Sequence, residues 1–218
     1  MLSHPNIVKL KDLILKDGAH LVMDYIEGMT LEKYINSVTG PIPSEVAMAM
    51  IKEIAAAIGY AHQKEIPIPG YNGVFHLDIK PSNILISDAG KVMVIDYGIS
   101  QGNSEDRMDQ IVGSLMYMAP EQLELGTALD HRTDIYSLGV LLHQMLTAST
   151  PYSSKNTQEE IIEKIQNKPL ERLVNVYPHV DNRMQKIIDT ATSKNPNKRY
   201  QSCEALINDL KVLENETI

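Results

Sequence analysis

Residues 8–15 alternate between apolar and polar positions, and a second short β-rich run covers residues 20–23. Lys16-Asp17-Gly18 between them is a turn signal, so the pattern predicts a β-hairpin with a D-G turn. Thr30 is placed to cap a short helix over residues 31–38, after which Pro41 and Pro43 break the chain. Over residues 45–62, Val46, Met50, Ile51, Ile54, Ala55, Ile58 and Ala61 recur at helical spacing, with Ser44 as the expected N-cap. The alanines of this segment predict a helix packed closely on all sides. Ile66-Pro67-Ile68-Pro69-Gly70-Tyr71-Asn72-Gly73 has to be loop.

Further on, residues 83–87 and 91–95 form two short apolar runs joined by the tight turn Asp88-Ala89-Gly90. Residues 101–109 are polar and without period, which predicts an exposed loop. The chain turns helical after Pro120, and residues 134–145 are apolar enough for a second buried helix. Thr157-Gln158-Glu159-Glu160 is a capping box opening another helix, with Ile161, Ile162 and Ile165 inside it. Residues 182–191 and 202–213 read as the last two helices. The expected fold class is α+β: a small β portion meeting a mostly helical body near Glu27-Gly28, with no linker or internal repeat.

Charge and composition narrow the functional classes. The 218 residues carry 20 Lys and Arg against 28 Asp and Glu, a formal net charge of −8. That balance argues against nucleic acid or an anionic membrane as partner, since both require a basic face. The single cysteine, Cys203, excludes an intrachain disulfide and fits a reducing, cytoplasmic setting; it reads as a small residue near a helix start. The longest apolar stretch, residues 138–146, is broken by His143 and Gln144 and falls short of a membrane span. Met1-Leu2-Ser3-His4-Pro5 has no basic region followed by an apolar core, so no signal peptide is expected.

The chemistry concentrates in His76-Leu77-Asp78-Ile79-Lys80-Pro81-Ser82-Asn83, between the Pro/Gly loop and the second strand pair. Asp78 is a candidate acceptor for a hydroxyl proton, Lys80 for neutralising a transferring phosphate, and Asn83 for a neutral oxygen ligand to a divalent ion. The strand pair would fold Asp96, in Asp96-Tyr97-Gly98, back beside Asn83 as a second metal ligand, with Gly98 permitting a sharp exit. Taken alone, Lys-Pro-Ser-Asn is also compatible with a capped turn.

This segment resembles the catalytic loop of protein kinases, H-R-D-x-x-x-x-N, followed by a D-F-G motif with Tyr in place of Phe. Four further segments are similar to the family in the same order: His4-Pro5-Asn6-Ile7-Val8 and Leu21-Val22-Met23-Asp24-Tyr25-Ile26-Glu27-Gly28 at the front, Gly113-Ser114-Leu115-Met116-Tyr117-Met118-Ala119-Pro120-Glu121 after the catalytic loop, and Asp134-Ile135-Tyr136-Ser137-Leu138-Gly139-Val140 as the central helix. Asn195-Pro196-Asn197-Lys198-Arg199-Tyr200 resembles the segment whose arginine pairs with the A-P-E glutamate. The details are most similar to bacterial serine/threonine kinases of the eukaryotic type.

The resemblance implies a kinase-like fold with a β N-lobe remnant over residues 1–26 and a C-lobe over residues 27–218. It implies catalytic roles for Asp78, Lys80 and Asn83, and magnesium ligation by Asn83 and Asp96. It implies adenine contacts from the backbone of Asp24 and Ile26, with Met23 as gatekeeper and Leu85 as floor. Ser114 would support Asp78 and Lys80; Leu10, His76 and Tyr97 would stack; Glu121 and Arg199 would form a buried ion pair. The implied activity is transfer of the ATP γ-phosphate to Ser/Thr hydroxyls of a protein substrate, with ATP and Mg2+ required.

Three departures qualify it. The sequence has no G-x-G-x-x-G and no V-A-I-K, the roof of the family's nucleotide site. Either this is a piece of a longer kinase or a late start, which the intact Asp78, Lys80, Asn83 and Asp96 favour, or it is a shortened pseudokinase-like binding module. If the chain starts at Met1, the small β portion is left uncovered, a surface that invites a partner or aggregation. Leu77 stands where most kinases carry an arginine that pairs with a phosphorylated activation loop, so activity is expected not to depend strictly on such phosphorylation, at Ser104 or elsewhere. Residues 65–73 look longer than the family's usual connection and read as a surface insertion.

Overall fold

The computed structural model describes residues 2–16, 18–65, 73–97, 114–150, 152, 156–176 and 180–216. Asp17, residues 66–72, Gly98, residues 101–109 with Ser104, and Gly113 lie outside the described residues.

Two small sheets and a helical body make up the fold. Strands β1 (Leu10–Leu15) and β2 (Ala19–Met23) form an antiparallel pair with Leu10 opposite Met23 and Leu13 opposite Leu21. The register shifts between Leu10 and Asp12, so Lys11 is the extra residue of a bulge. A second sheet has the order β3-β4-β5, from β3 (Gly28–Thr30), β4 (Ile84–Ser87) and β5 (Val92–Val94). The hairpin is tied to that sheet at its root, where Val8 N–H donates to Val94 O at 3.0 Å and Val94 N–H donates to Asn6 O at 2.8 Å.

Strand β3 has no counterpart in the sequence reading. Its three residues are too few to show a period, and its pairing with β4 is a tertiary event. Gly28 makes it possible: a Cβ there would lie 2.1 Å from Ile86 O, and φ is +152°.

Helix α1 (Leu31–Tyr34) starts as expected on Thr30, whose hydroxyl accepts from Lys33 N, and continues as a π-helical turn through Thr39. Helix α2 spans Ser44–His62. Ser44 is its first helical residue, not its cap: Pro43 occupies the N-cap position, and no side chain caps the end. Proline fixes the entry angle and lacks a donor, so the cap is set by backbone geometry alone. Helix α3 (His131–Thr147) is capped by Asp130, which accepts from Arg132 N, and every residue from Thr133 to Thr147 is buried. It is the axis of the body. At Gly139 a Cβ would meet Ala191 Cβ at 2.7 Å, so the crossing with α5 (Asn182–Ala191) requires glycine.

Helix α4 (Gln158–Asn167) opens on the predicted capping box: Thr157 accepts from Glu160 N, and Glu160 accepts from Thr157 N–H. Helix α6 (Cys203–Asn215) packs against α2 and α5. Cys203, its first residue, is buried, and burial pushes its thiol well above the ordinary range, with the Asp134 carboxylate adding to the shift. The thiol is therefore a packing group. One apolar core runs from Ile7 through α2, α3, α5 and α6 to Leu213. No described helix is long and apolar enough to cross a membrane.

Candidate active site

The segment 73–83 runs across the end of the helical body toward β4, and its polar side chains converge. Lys80 Nζ lies 2.8 Å from Asp78 Oδ2 and donates to Ser114 Oγ at 2.7 Å. Asn83 Nδ2 donates to Asp78 O at 2.8 Å and to Asp78 Oδ2 at 3.0 Å. Both donors of the Asn83 amide thus turn toward Asp78, leaving its carbonyl oxygen without a partner among the described residues. Asp78 and Lys80 are half-buried, enough to fix them and to leave them within reach of a substrate. Ser114 arrives from the far side of residues 98–113, as expected.

The backbone that presents Asp78 is strained and held in place. Leu77 has φ +62°, a left-handed conformation that a leucine adopts only when its surroundings dictate it. Asp134, fully buried at the start of α3, accepts from His76 N at 2.8 Å and from Leu77 N at 2.7 Å. His62 at the end of α2 lies 2.8 Å from the same carboxylate. One carboxylate therefore fixes two successive loop amides and the end of a neighbouring helix. Sequence reasoning placed Asp134 in the central helix without this role; a carboxylate opening an otherwise apolar helix was the available signal.

His76 links the loop to the strand pair. Its Nδ1 accepts from Asp78 N at 3.3 Å, so Nε2 carries the hydrogen and donates to Ile95 O at 2.8 Å. The imidazole packs against Tyr97 with centroids 4.7 Å apart and ring planes tilted by 54°, and Leu10 lines the same cavity as Tyr97. Tyr97 has a hydroxyl where the resemblance has phenylalanine. That hydroxyl donates to Ala57 O at 3.2 Å, and burial, reinforced by the Asp134 charge, pushes its pKa well above the ordinary phenol value. Tyr97 is thus a permanent donor anchoring the turn after β5 onto α2.

Asp96 also has a left-handed backbone, φ +61°, in an exposed position. Ile95 N donates to Asn83 O at 3.0 Å, which brings the strand end carrying Asp96 beside Asn83. The donor set available to a cation is two oxygens of hard character, a carboxylate and an amide carbonyl, which suits magnesium completed by phosphate oxygens. Among the described residues no group of three or more His, Cys, Asp or Glu is placed to hold a metal unaided.

Met23, Asp24 and Ile26 lie at and just beyond the end of β2, and Leu85 lies in β4. Met23 ends β2 and lines a cavity of about 220 Å³ with Leu21, Asp96 and Tyr97. Asp24 N donates to Lys9 O at 3.0 Å, and its carboxylate pairs with Lys11 at 2.6 Å. The Asp24 carbonyl and the Ile26 amide have no partner among the described residues, so both are available. Leu85 sits between Ile84, which is in the core, and Ile86, which packs against it, so its side chain belongs to the opposite sheet face.

Beneath the site the expected ion pair is present. Arg199 donates to Glu121 at 2.6 and 2.7 Å, to Arg132 O at 2.9 Å and to Ser193 O at 2.7 Å; Thr133 Oγ1 donates to Glu121 at 2.9 Å. Burial raises the Glu121 pKa, but the bonds and charge of Arg199 outweigh it and leave the carboxyl below its ordinary value.

Comparison with known sequences then identifies the family. The protein kinase domain profile matches residues 1–210. The chain belongs to the protein kinase family. A probable serine/threonine-protein kinase of Clostridium perfringens is 33% identical over 219 aligned positions, covering 99% of this chain and 30% of that protein. The serine/threonine-protein kinase PrkC of Bacillus subtilis is 36% identical over 215 positions, covering 96% of this chain and 31% of PrkC. This kinase chain therefore spans about a third of the length of those relatives. Among solved structures, the PknI kinase domain of Mycobacterium tuberculosis superposes with a TM-score of 0.73 at 23% identity, covering 97% of this chain and 73% of that one. The expected α+β, kinase-like fold is borne out.

Proposed function

We propose that this protein is a serine/threonine protein kinase, transferring the ATP γ-phosphate to Ser/Thr hydroxyls of a protein substrate. The observation that carries the reading is the mutual arrangement of Asp78, Lys80, Asn83 and Ser114 on a strained backbone clamped by Asp134. Structural stability offers no reason to gather a carboxylate, an ammonium and an amide at a solvent-facing loop in this way.

In this reading Asp78 accepts the proton of the attacking hydroxyl and orients its oxygen. That oxygen bonds to the γ-phosphorus as the bridge to the β-phosphate breaks, and ADP leaves. Lys80 moves from its pairing with Asp78 to the γ-phosphoryl oxygens, where its charge counters the negative charge of the transition state. Asn83 and Asp96 would hold Mg2+, which supplies charge neutralisation on the phosphates when bound. The Asp24 carbonyl and Ile26 amide receive the adenine edge, Met23 bounds its rear and Leu85 its lower face. Most of the acceleration comes from positioning, which the buried anchors of the loop make inexpensive at the moment of reaction. Residues 1–26 and 27–218 are the N-lobe remnant and C-lobe of this kinase, acting in the cytoplasm. A partner surface covering the exposed hairpin belongs to the same reading, supported by Leu13, Leu15 and Tyr25 standing in solvent.

Calorimetric titration of the full chain with a non-hydrolysable ATP analogue, with and without magnesium, tests the nucleotide site. Magnesium-dependent binding that disappears in Asp96→Ala is expected. A folded wild-type chain that binds no nucleotide, or an Asp96→Ala variant that binds equally well, overturns the reading in favour of a non-catalytic binding module.

A further inference from the structure

The carbonyl of Leu77 is held as firmly as its amide, and from a different direction. Gln122 Nε2 donates to Leu77 O at 3.0 Å across 45 residues of sequence, while Gln122 Oε1 accepts from Ala119 N at 2.9 Å. Gln122 lies in the 3-10 turn Pro120–Leu123, and the neighbouring Glu121 in that turn is the residue gripped by Arg199 and Thr133. A continuous polar path thus runs from the buried ion pair, through the turn, to the peptide joining Leu77 and Asp78. The other half of that peptide, Asp78 N–H, is taken by His76 Nδ1.

We propose that Gln122 is a positioning residue for phosphoryl transfer, tying the Pro120–Leu123 turn to the catalytic loop and fixing the plane of the Leu77–Asp78 peptide. The inference rests on the kinase reading of Asp78. Rotation of this one peptide swings the Asp78 carboxylate directly, because the peptide plane and the Asp78 side chain meet at the same Cα. With φ of Leu77 at +62°, the peptide is biased to relax if released. Leu77 has no side-chain charge with which to recruit an anionic anchor, so its backbone carbonyl is the handle by which the segment on the far side of residues 98–113 reaches the loop. Gln122 satisfies both ends of its amide in doing so, which fixes the orientation of the group. It touches neither substrate nor metal ligand; its effect passes through Leu77 to Asp78.

Gln122→Glu separates this role from a local structural one. The variant retains an acceptor for Ala119 N–H but faces the Leu77 carbonyl with an oxygen instead of a donor. Two measurements on the full chain decide the matter. Amide hydrogen exchange in the catalytic loop, residues 76–80, should accelerate about fivefold or more in Gln122→Glu and in Gln122→Leu, the size expected from loss of one net hydrogen bond. Exchange of α3 should stay unchanged in both. For transfer to a protein acceptor, kcat should fall about fivefold to tenfold with KM for ATP unchanged, the pattern of a lost transition-state alignment. Unchanged loop exchange in Gln122→Glu overturns the tie, and accelerated exchange with wild-type kcat overturns its role in positioning. A wild-type chain without turnover counts against the kinase reading, and the exchange data then still accept or reject the tie by themselves.

Discussion

The β1–β2 hairpin and the helical body meet at the same cleft but are built in opposite ways. In the hairpin Leu15 is 77% exposed, as is Tyr25 just beyond it at 87%, and among the described residues each of its strands is paired in the sheet with the other alone. A two-stranded ribbon of this kind is marginal by itself. In the body, Asp134 is 0% and Arg199 3% exposed, and each makes several charged hydrogen bonds. The residues proposed to move a proton and a phosphate hang from the body. Of those proposed to receive the nucleotide base, Met23, Asp24 and Ile26 sit at the end of the hairpin, while Leu85 belongs to β4. The difference teaches that catalytic alignment is a property of the body, whereas base recognition depends on whatever stabilises the hairpin.

Removing a charge from the body should have the largest effect. Arg199→Met strands the Glu121 carboxylate and should cost about 3–5 kcal/mol in chemical denaturation, with Glu121→Gln/Arg199→Met recovering part of the loss. The pH dependence follows from the same pair. The Glu121 pKa is depressed in the folded state, so its stabilisation is fully present above the ordinary value of 4.5 and is lost as pH falls through the lower, folded value. The wild-type chain should therefore lose more stability on acidification below that point than the double variant does.

Next in size is Asp134→Asn, which leaves one loop amide without its carboxylate acceptor and should cost about 1–3 kcal/mol. Amide exchange of Leu77 should rise in that variant while the hairpin amides stay as they were; a uniform change in both regions would contradict the separate anchoring of loop and hairpin.

A smaller effect is expected at Lys194, whose ammonium donates to Tyr136 Oη at 3.1 Å. Burial, and then the Arg199 charge, bring its pKa down to about 8. The folded state thus holds this proton less tightly than the unfolded chain, so the lysine opposes folding below that pH and ceases to do so as pH rises toward its ordinary 10.5. Lys194→Met should raise the melting temperature at pH 7, with the gain shrinking above pH 8. A gain independent of pH would contradict the assignment.

The smallest effect belongs to the hairpin surface. Leu15→Thr should change stability by no more than about 0.5 kcal/mol, because its side chain has nothing to lose in this chain. A larger loss would mean that the hairpin is covered in solution.

The same contrast governs what was legible in the sequence. Helices announced by local signals, such as α4 with its Thr157–Glu160 box and α5 over Asn182–Ala191, fall where the pattern put them. Strand β3 did not, because three residues carry no period and the pairing of Met29 with Ile86 is non-local. The Ser44 cap failed because Pro43 already fixed the helix entrance. In the site, Asp78, Lys80 and Asn83 stand within one short motif and were readable together. Asp134 and Gln122 hold that motif from 57 and 45 residues away, His62 meets Asp134 across 72, and no local pattern encodes such separations.

The most direct test of the account is transfer of labelled γ-phosphate from ATP to a generic protein acceptor by the full chain, with Asp78→Asn as control and the modified amino acid identified. The account predicts magnesium-dependent label on serine or threonine that falls to background in Asp78→Asn while the variant keeps the wild-type melting temperature. A folded chain that binds magnesium and nucleotide yet transfers nothing, or transfer that survives Asp78→Asn, would contradict it.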